Sequence, residues 1–174
     1  EAPTQQAKTT QAAPTEQPTP EPDPVQQLLE EMTLEQKVGQ LFLVRPDSLD
    51  LSQTQDQIND AKADGVTELT DAMRQTLAEY PVGGVVIFGK NLESPQQITQ
   101  FLDDLQQASD TPLFTAIDEE GGLVARLANN AAFDLPQYES AAAVGTSGNP
   151  EDARAMGRTI GGYLKEYGFN LDFA

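Results

Sequence analysis

From residue 82 to 89 the chain reads VGGVVIFG, an apolar, largely β-branched run without a polar residue to mark a wet face. A strand with one solvated face alternates, whereas an uninterrupted run is buried on both faces, the condition of a parallel sheet. Three other short stretches read as strands: LFLV at 41–44, LFTAI at 113–117 and FNLDFA at 169–174. The segments between them carry the helical period. Ser94, Pro95 and Gln97 supply an N-cap, a proline at the first helical position and a capping box. Ile98, Phe101, Leu102 and Leu105 then follow at i, i+3, i+4 and i+7. TDAMRQTLAEYP at 70–81 reads as a helix with Leu69, Met73 and Leu77 inward, stopped by Pro81. A third helix starts with Asn149 and Pro150, turns Ala153, Met156, Ile160 and Leu164 inward, and closes at Gly168.

The order β-α-β-α-β-α-β specifies an α/β fold with a parallel sheet and right-handed crossovers. Two architectures satisfy it, an open doubly wound sheet and part of a (β/α)8 barrel, and periodicity leaves both open. Upstream, Val25, Leu28, Leu29 and Met32 share a helical face, and Thr33 with Gln36 starts a second short helix. Residues 47–64 are polar and read as an excursion from the sheet.

The first 24 residues hold Thr, Gln and Pro but no aromatic or large aliphatic side chain. Such a segment cannot bury enough apolar area to offset its ordering entropy, so residues 1–24 are expected to form a disordered tether ahead of a domain at 25–174. The chain opens on Glu1 rather than Met. With the tether, this creates the expectation of processing and of an exported, extracellular or surface-tethered protein.

Charge and composition narrow the chemistry. Against 28 acidic residues stand 10 basic ones, a net charge of −18. That field repels phosphate backbones and anionic lipid, so nucleic acid is not an expected partner. Cysteine and histidine are both absent. This removes thiolate chemistry, the commonest metal ligand and the commonest general base. Carboxylates, lysine, tyrosine and hydroxyls are left.

PLFTAIDEEGGLVARLAN at 112–129 is where a strand runs directly into charge. In either architecture the functional face lies at the carboxyl ends of the strands. Asp118, the first polar residue after the strand, therefore stands at that rim. Gly121 and Gly122 permit a sharp turn and a close approach to a ligand. Arg126, eight residues beyond Asp118, offers a planar fork of donors at the same rim. A carboxylate facing a guanidinium suits a polyhydroxylated ligand; it equally suits a capped loop with an ordinary ion pair, and the residues alone leave both readings open.

AIDEEGGLVARL resembles the Asp-x-Glu-Gly-Gly-Arg-Val-x-Arg signature of glycoside hydrolase family 3, and within it the bacterial β-N-acetylhexosaminidase branch. MTLEQKVGQLF, YPVGGVVIFGKN and GFNLDFA follow in the family's order, so the resemblance covers about residues 25–174. It implies the (β/α)8 TIM barrel, present as roughly its first four βα units. It also implies a retaining glycosidase that releases terminal β-linked N-acetylhexosamine from a glycan or peptidoglycan fragment, with neither metal nor organic cofactor. The substrate-binding set carried over is Asp118 on the sugar hydroxyls, Arg126 beside it and Glu120 supporting the turn. Leu123 departs from the family's usual arginine, which weakens the carry-over there. Lys90 and Asn91 end the second strand and are candidates to line the rim, while Asp172 is expected to be a structural hydrogen-bonding residue. The family's aspartate nucleophile belongs to a later strand and its histidine acid/base to a mobile loop, so no catalytic residue is expected within this chain. The contrasting reading is a non-catalytic carbohydrate-binding or cell-wall-associated module; a small open-sheet domain without a glycan role is a further alternative.

The tether reading has a direct test. Limited proteolysis should trim the chain to near Val25 before any cut appears at 85–125, as read by mass spectrometry of the first fragments.

Overall fold

The computed structural model describes residues 23–174, so the tether expected at 1–24 lies, apart from its last two residues, outside the described residues. The chain forms two compact units that divide between Met32 and Thr33. In the first, Asp23 accepts from the Val25 N–H and caps helix α1 (Pro24–Glu31), with the proline in the first turn where its missing N–H is not needed. The Met32 N–H closes that helix on the Leu28 carbonyl.

The second unit opens with α2 (Leu34–Gly39), started by the reciprocal box in which Thr33 accepts from the Gln36 N–H and Gln36 accepts from the Thr33 N–H. Strand β1 (Leu43–Val44), helices α3 (Gln55–Asn59) and α4 (Asp71–Glu79), and strand β2 (Gly84–Ile87) follow. Next come α5 (Pro95–Gln107), strand β3 (Phe114–Ile117), the hairpin β4 (Glu119–Gly121) and β5 (Val124–Ala125), helices α6 (Ala141–Thr146) and α7 (Pro150–Glu166), and strand β6 (Leu171–Asp172). The sheet order is β1-β2-β3-β6, every pair parallel. This is the α/β parallel arrangement that the strand and helix patterns require. In the β2–β3 pair Val85 faces Thr115 and Ile87 faces Ile117. Val85, Ile87, Ala116 and Ile117 are fully buried, as a strand covered on both faces demands.

The helical faces pack as their spacing predicts: Ile98, Phe101, Leu102 and Leu105 of α5 are buried, as are Met73 and Leu77 of α4. Three elements differ from expectation. The 41–44 strand keeps only its second half, because the Leu41 and Phe42 N–H groups bond to Val38 and Gly39 and extend the end of α2. Leu41 and Phe42 are accordingly exposed. Within 169–174 the strand is confined to Leu171–Asp172. Along α7 Ala153, in the helix's first turns, is exposed, and the inward face is Met156, Ile160, Tyr163 and Leu164.

Residues 47–64 are less loose than their polarity suggests. Pro46–Leu49 is a 3-10 turn in which Asp47 has no exposed surface. Its Oδ1 accepts from the Val66 N–H (3.1 Å) and lies 3.2 Å from Lys90 Nζ, while Oδ2 accepts from the Asn91 amide (3.0 Å). Asn91 also donates to the Val66 carbonyl, and Lys90 Nζ to the carbonyls of Gln57 and Ile58. Lys90 and Asn91, candidates for the rim, thus point into the excursion and pin both ends of it, since a buried carboxylate must be paired.

Removing one partner of a buried ion pair leaves the other charge uncompensated, typically at about 3–5 kcal/mol. Asp47→Ala should therefore lower the unfolding free energy by about that amount in a urea melt, while Ala at exposed Asp110 should leave the midpoint unchanged.

Candidate functional site

The carboxyl ends of the strands gather Arg45 after β1, Phe88 after β2, Asp118 after β3 and Asp172 in β6. The β3 strand does not end in an open loop. Its chain passes through Asp118 into the β4–β5 hairpin, whose strands are joined by Gly122-Leu123. Gly121 (φ +83°) and Gly122 (φ +65°) occupy the left-handed region that β-carbon-bearing residues avoid. At Gly122 packing excludes a side chain as well, since a Cβ would lie 2.6 Å from the Glu139 carbonyl oxygen; at Gly121 a Cβ would lie 2.6 Å from Met156 Cε, which would have to move. The two glycines make the sharp turn expected of them and seat the hairpin against α7 and the 138–140 segment. The Gly122 N–H donates to the Tyr138 carbonyl, and Asn129 donates to the Gly122 carbonyl.

Three consecutive acids take three different places because side chains alternate across extended backbone. Asp118 accepts from Arg126 Nη2 at 2.9 Å, with both side chains part-exposed at 26% and 32%. Glu119 turns inward and is fully buried. Its Oε2 accepts from the Leu127 N–H (2.9 Å), and its Oε1 from the Ala128 N–H (2.9 Å) and the Tyr163 hydroxyl (2.8 Å). Glu120 points to solvent. The bracing of the turn, expected of Glu120, is therefore performed by Glu119, whose side chain faces the protein rather than water.

Asp172 accepts from the Glu119 N–H at 2.9 Å, the structural hydrogen-bonding role expected of it. Burial raises its carboxyl above the ordinary value of 3.8, and the charges of Glu119, Asp118 and Glu120 push the same way, against the Glu119 N–H, which favours the anion. Burial, followed by the hydrogen bond and charge of Glu119, likewise raises the Tyr163 phenol far above its ordinary value, so it remains a donor. Leu123, at the hairpin tip, is entirely exposed.

The structure thus brings Asp118 and Arg126 together and leaves Glu120 beside them on the solvent side. One contact joins the pair, so among the described residues Asp118 Oδ1 and Arg126 Nη1 have no other hydrogen-bond partner. An acceptor and a donor left without protein partners can bind hydroxyls, each hydroxyl both giving and receiving. Glu119 and Tyr163 are the functional supports that the sequence reading did not include. Tyr163 was signalled by its place three residues after Ile160 on the inward face of α7, and Glu119 by its position one residue out of phase with Asp118.

The model of the family "Glycosyl hydrolase family 3 N terminal domain" matches residues 33–174. "Beta-hexosaminidase A" of Pseudoalteromonas piscicida is 32% identical over 114 residues, 63% of this chain and 19% of that protein. "Beta-hexosaminidase" of Thiobacillus denitrificans is 31% identical over 112 residues, 62% of this chain and 31% of that protein. Among solved structures, a glycoside hydrolase family 3 beta-N-acetylglucosaminidase from Paenibacillus sp. is 31% identical with a TM-score of 0.65, covering 82% of this chain and 24% of its own. The chain therefore spans between a fifth and a third of the length of these proteins.

The Glu119 network sets an order of effects. Tyr163→Phe removes one bond to a charged group and should cost about 1.5–3 kcal/mol, whereas Glu119→Ala strands three donors at once and should cost more, at least about 3 kcal/mol. Chemical denaturation of the two variants measures both.

Proposed function

The chain belongs to glycosyl hydrolase family 3, through that family's N-terminal domain, and from this premise we propose that it supplies the sugar-positioning part of a β-N-acetylhexosaminidase. Its four parallel strands would be the first four of an eight-stranded (β/α)8 barrel. The observation that carries the reading is the open Asp118–Arg126 pair on the carboxyl rim, the face at which barrel enzymes bind their substrates. Asp118 would accept from sugar hydroxyls, Arg126 would donate to them, and Glu120 would reach the ligand from the solvent side. The similarity to hexosaminidases and to an N-acetylglucosaminidase supports a terminal β-linked N-acetylhexosamine as the ligand, in a glycan or a peptidoglycan fragment.

Retaining hydrolysis proceeds by double displacement: a carboxylate attacks the anomeric carbon while an acid protonates the leaving oxygen, and water then releases the sugar. The chain has no histidine to act as the acid. Of the other carboxylates near the pair, Glu119 is engaged by three donors and Asp172 by the Glu119 N–H, while Glu120 is exposed. On this reading the 174 residues would bind and orient the sugar without supplying a complete catalytic pair. The Thr/Gln/Pro composition of the first 24 residues supports an exported, surface-tethered setting for this chemistry.

Titration with N-acetylglucosamine, followed by NMR, tests the reading. Asp118→Asn should weaken binding about tenfold or more, the scale of one charge-assisted hydrogen bond, while Asp110→Asn leaves it unchanged. Turnover of a chromogenic N-acetylglucosaminide by the chain should stay at the level of a boiled control. Equal, small effects of the two substitutions would reduce the hairpin to a structural feature.

A further inference from the structure

Two guanidinium groups share one aromatic ring at the rim. The Arg45 Cζ atom lies 4.3 Å from the centroid of Phe88, and the Arg126 Cζ atom 5.7 Å from the same centroid. Both are within the distance at which a cation is drawn to a ring face. Arg45 is itself held, its Nη1 donating to the Ile58 carbonyl (2.8 Å) and facing Asn59 Oδ1. The ring is thus fixed by a cation that the 47–64 excursion holds in turn, with Lys90 donating to that same Ile58 carbonyl.

The geometry of Arg126 is unusual beside this ring. Arginine and a carboxylate commonly pair through two parallel N–H···O bonds. The Nε and Nη2 groups lie on one edge of the guanidinium, and Nη2 already donates to Asp118 Oδ2 at 2.9 Å. A second bond from Nε to Oδ1 would complete the fork. It is not made: Nε is buried and has no partner among the described residues. An orphaned buried donor is unfavourable, so something offsets it.

We propose that Phe88 is a positioning residue that holds the Asp118–Arg126 pair in its single-contact state. The attraction of the guanidinium to the ring keeps Arg126 turned away from the side-on fork. Asp118 Oδ1 therefore stays open to a ligand instead of being consumed by Arg126 Nε, while Nη1 is free in either state. Arg45 acts one step further back, steadying the ring. The role rests on reading the pair as the sugar-positioning element, and it assigns Phe88 no contact with the sugar.

The test is Phe88→Leu in the chain as it stands, read in two ways. A crystal structure of the variant should show both Nε and Nη2 of Arg126 within hydrogen-bond distance of Asp118. N-acetylglucosamine affinity should fall about 2- to 30-fold, the span of one cation–π contact, and Phe88→Tyr, which keeps the ring, should restore both. Phe88→Met refills the volume without a ring face and yields the same two readouts should the leucine variant not fold. A variant without the ring that still shows the lone Nη2 contact overturns the proposal, even if affinity drops. A wild-type chain that binds no saccharide refutes the functional reading, and the geometry of Arg126 in the variant then still decides the role of Phe88.

Discussion

A carboxylate stripped of water is costly unless donors replace the lost hydration, and Glu119 receives three of them while showing no surface. The donors come from two parts of the chain's course past β3. The Leu127 and Ala128 N–H groups fold the segment after β5 back onto the strand end, and the Tyr163 hydroxyl attaches α7. Glu119's own N–H reaches across to Asp172 in the neighbouring strand. One residue thus ties the hairpin, the returning loop, the covering helix and β6 together. Because the position of Arg126 follows directly from that of Leu127, the guanidinium that meets Asp118 is placed by the burial of the next acid along.

The same logic operates at the other side of the rim, with different residues. Asp47 is buried and paired to Lys90 and Asn91, which anchors a polar excursion that would otherwise have little to hold it. Between the two buried acids lies Phe88, which Arg45 approaches from the side of the excursion and Arg126 from the side of the hairpin. Neither acid needs to touch a ligand to matter for binding. They remove freedom from the loops, and ordering the groups before a ligand arrives lowers the entropy that binding must otherwise supply.

Most of the sheet was legible in the sequence because burial on both faces leaves a local trace: VVI at 85–87 and TAI at 115–117 lack the alternation of a half-wet strand. The face of α5 was legible for the same reason, and so was the approach of Arg126 to Asp118 across eight residues. The failures share a cause, which is that polar residues inform about position only through their partners. Asp47, Lys90 and Asn91 read as surface because their partners lie up to 44 residues away. The resembled signature assigns the brace to Glu120, whereas the fold turns Glu119 inward. The end of α2 consumed Leu41 and Phe42 because an apolar pair next to a helix serves a last turn as well as a first strand residue.

The sequence Asp118-Glu119-Glu120 separates three functions with the simplest device that a strand provides. Alternation sends the middle acid inward and its neighbours outward, so one is spent on structure while two remain at the rim. A slip of one residue in register would bury Asp118 and Glu120, present Glu119 to solvent, and leave the Leu127 and Ala128 N–H groups and the Tyr163 hydroxyl unpaired. The hairpin glycines guard against that slip. With φ of +83° and +65°, and the Glu139 carbonyl where a Cβ at Gly122 would go, the turn suits the glycine pair and disfavours residues that carry a Cβ. Strand phase and turn chemistry therefore specify the same register independently. That agreement keeps Asp118 facing Arg126 on a rim whose four nearest carboxylates would otherwise repel one another into disorder.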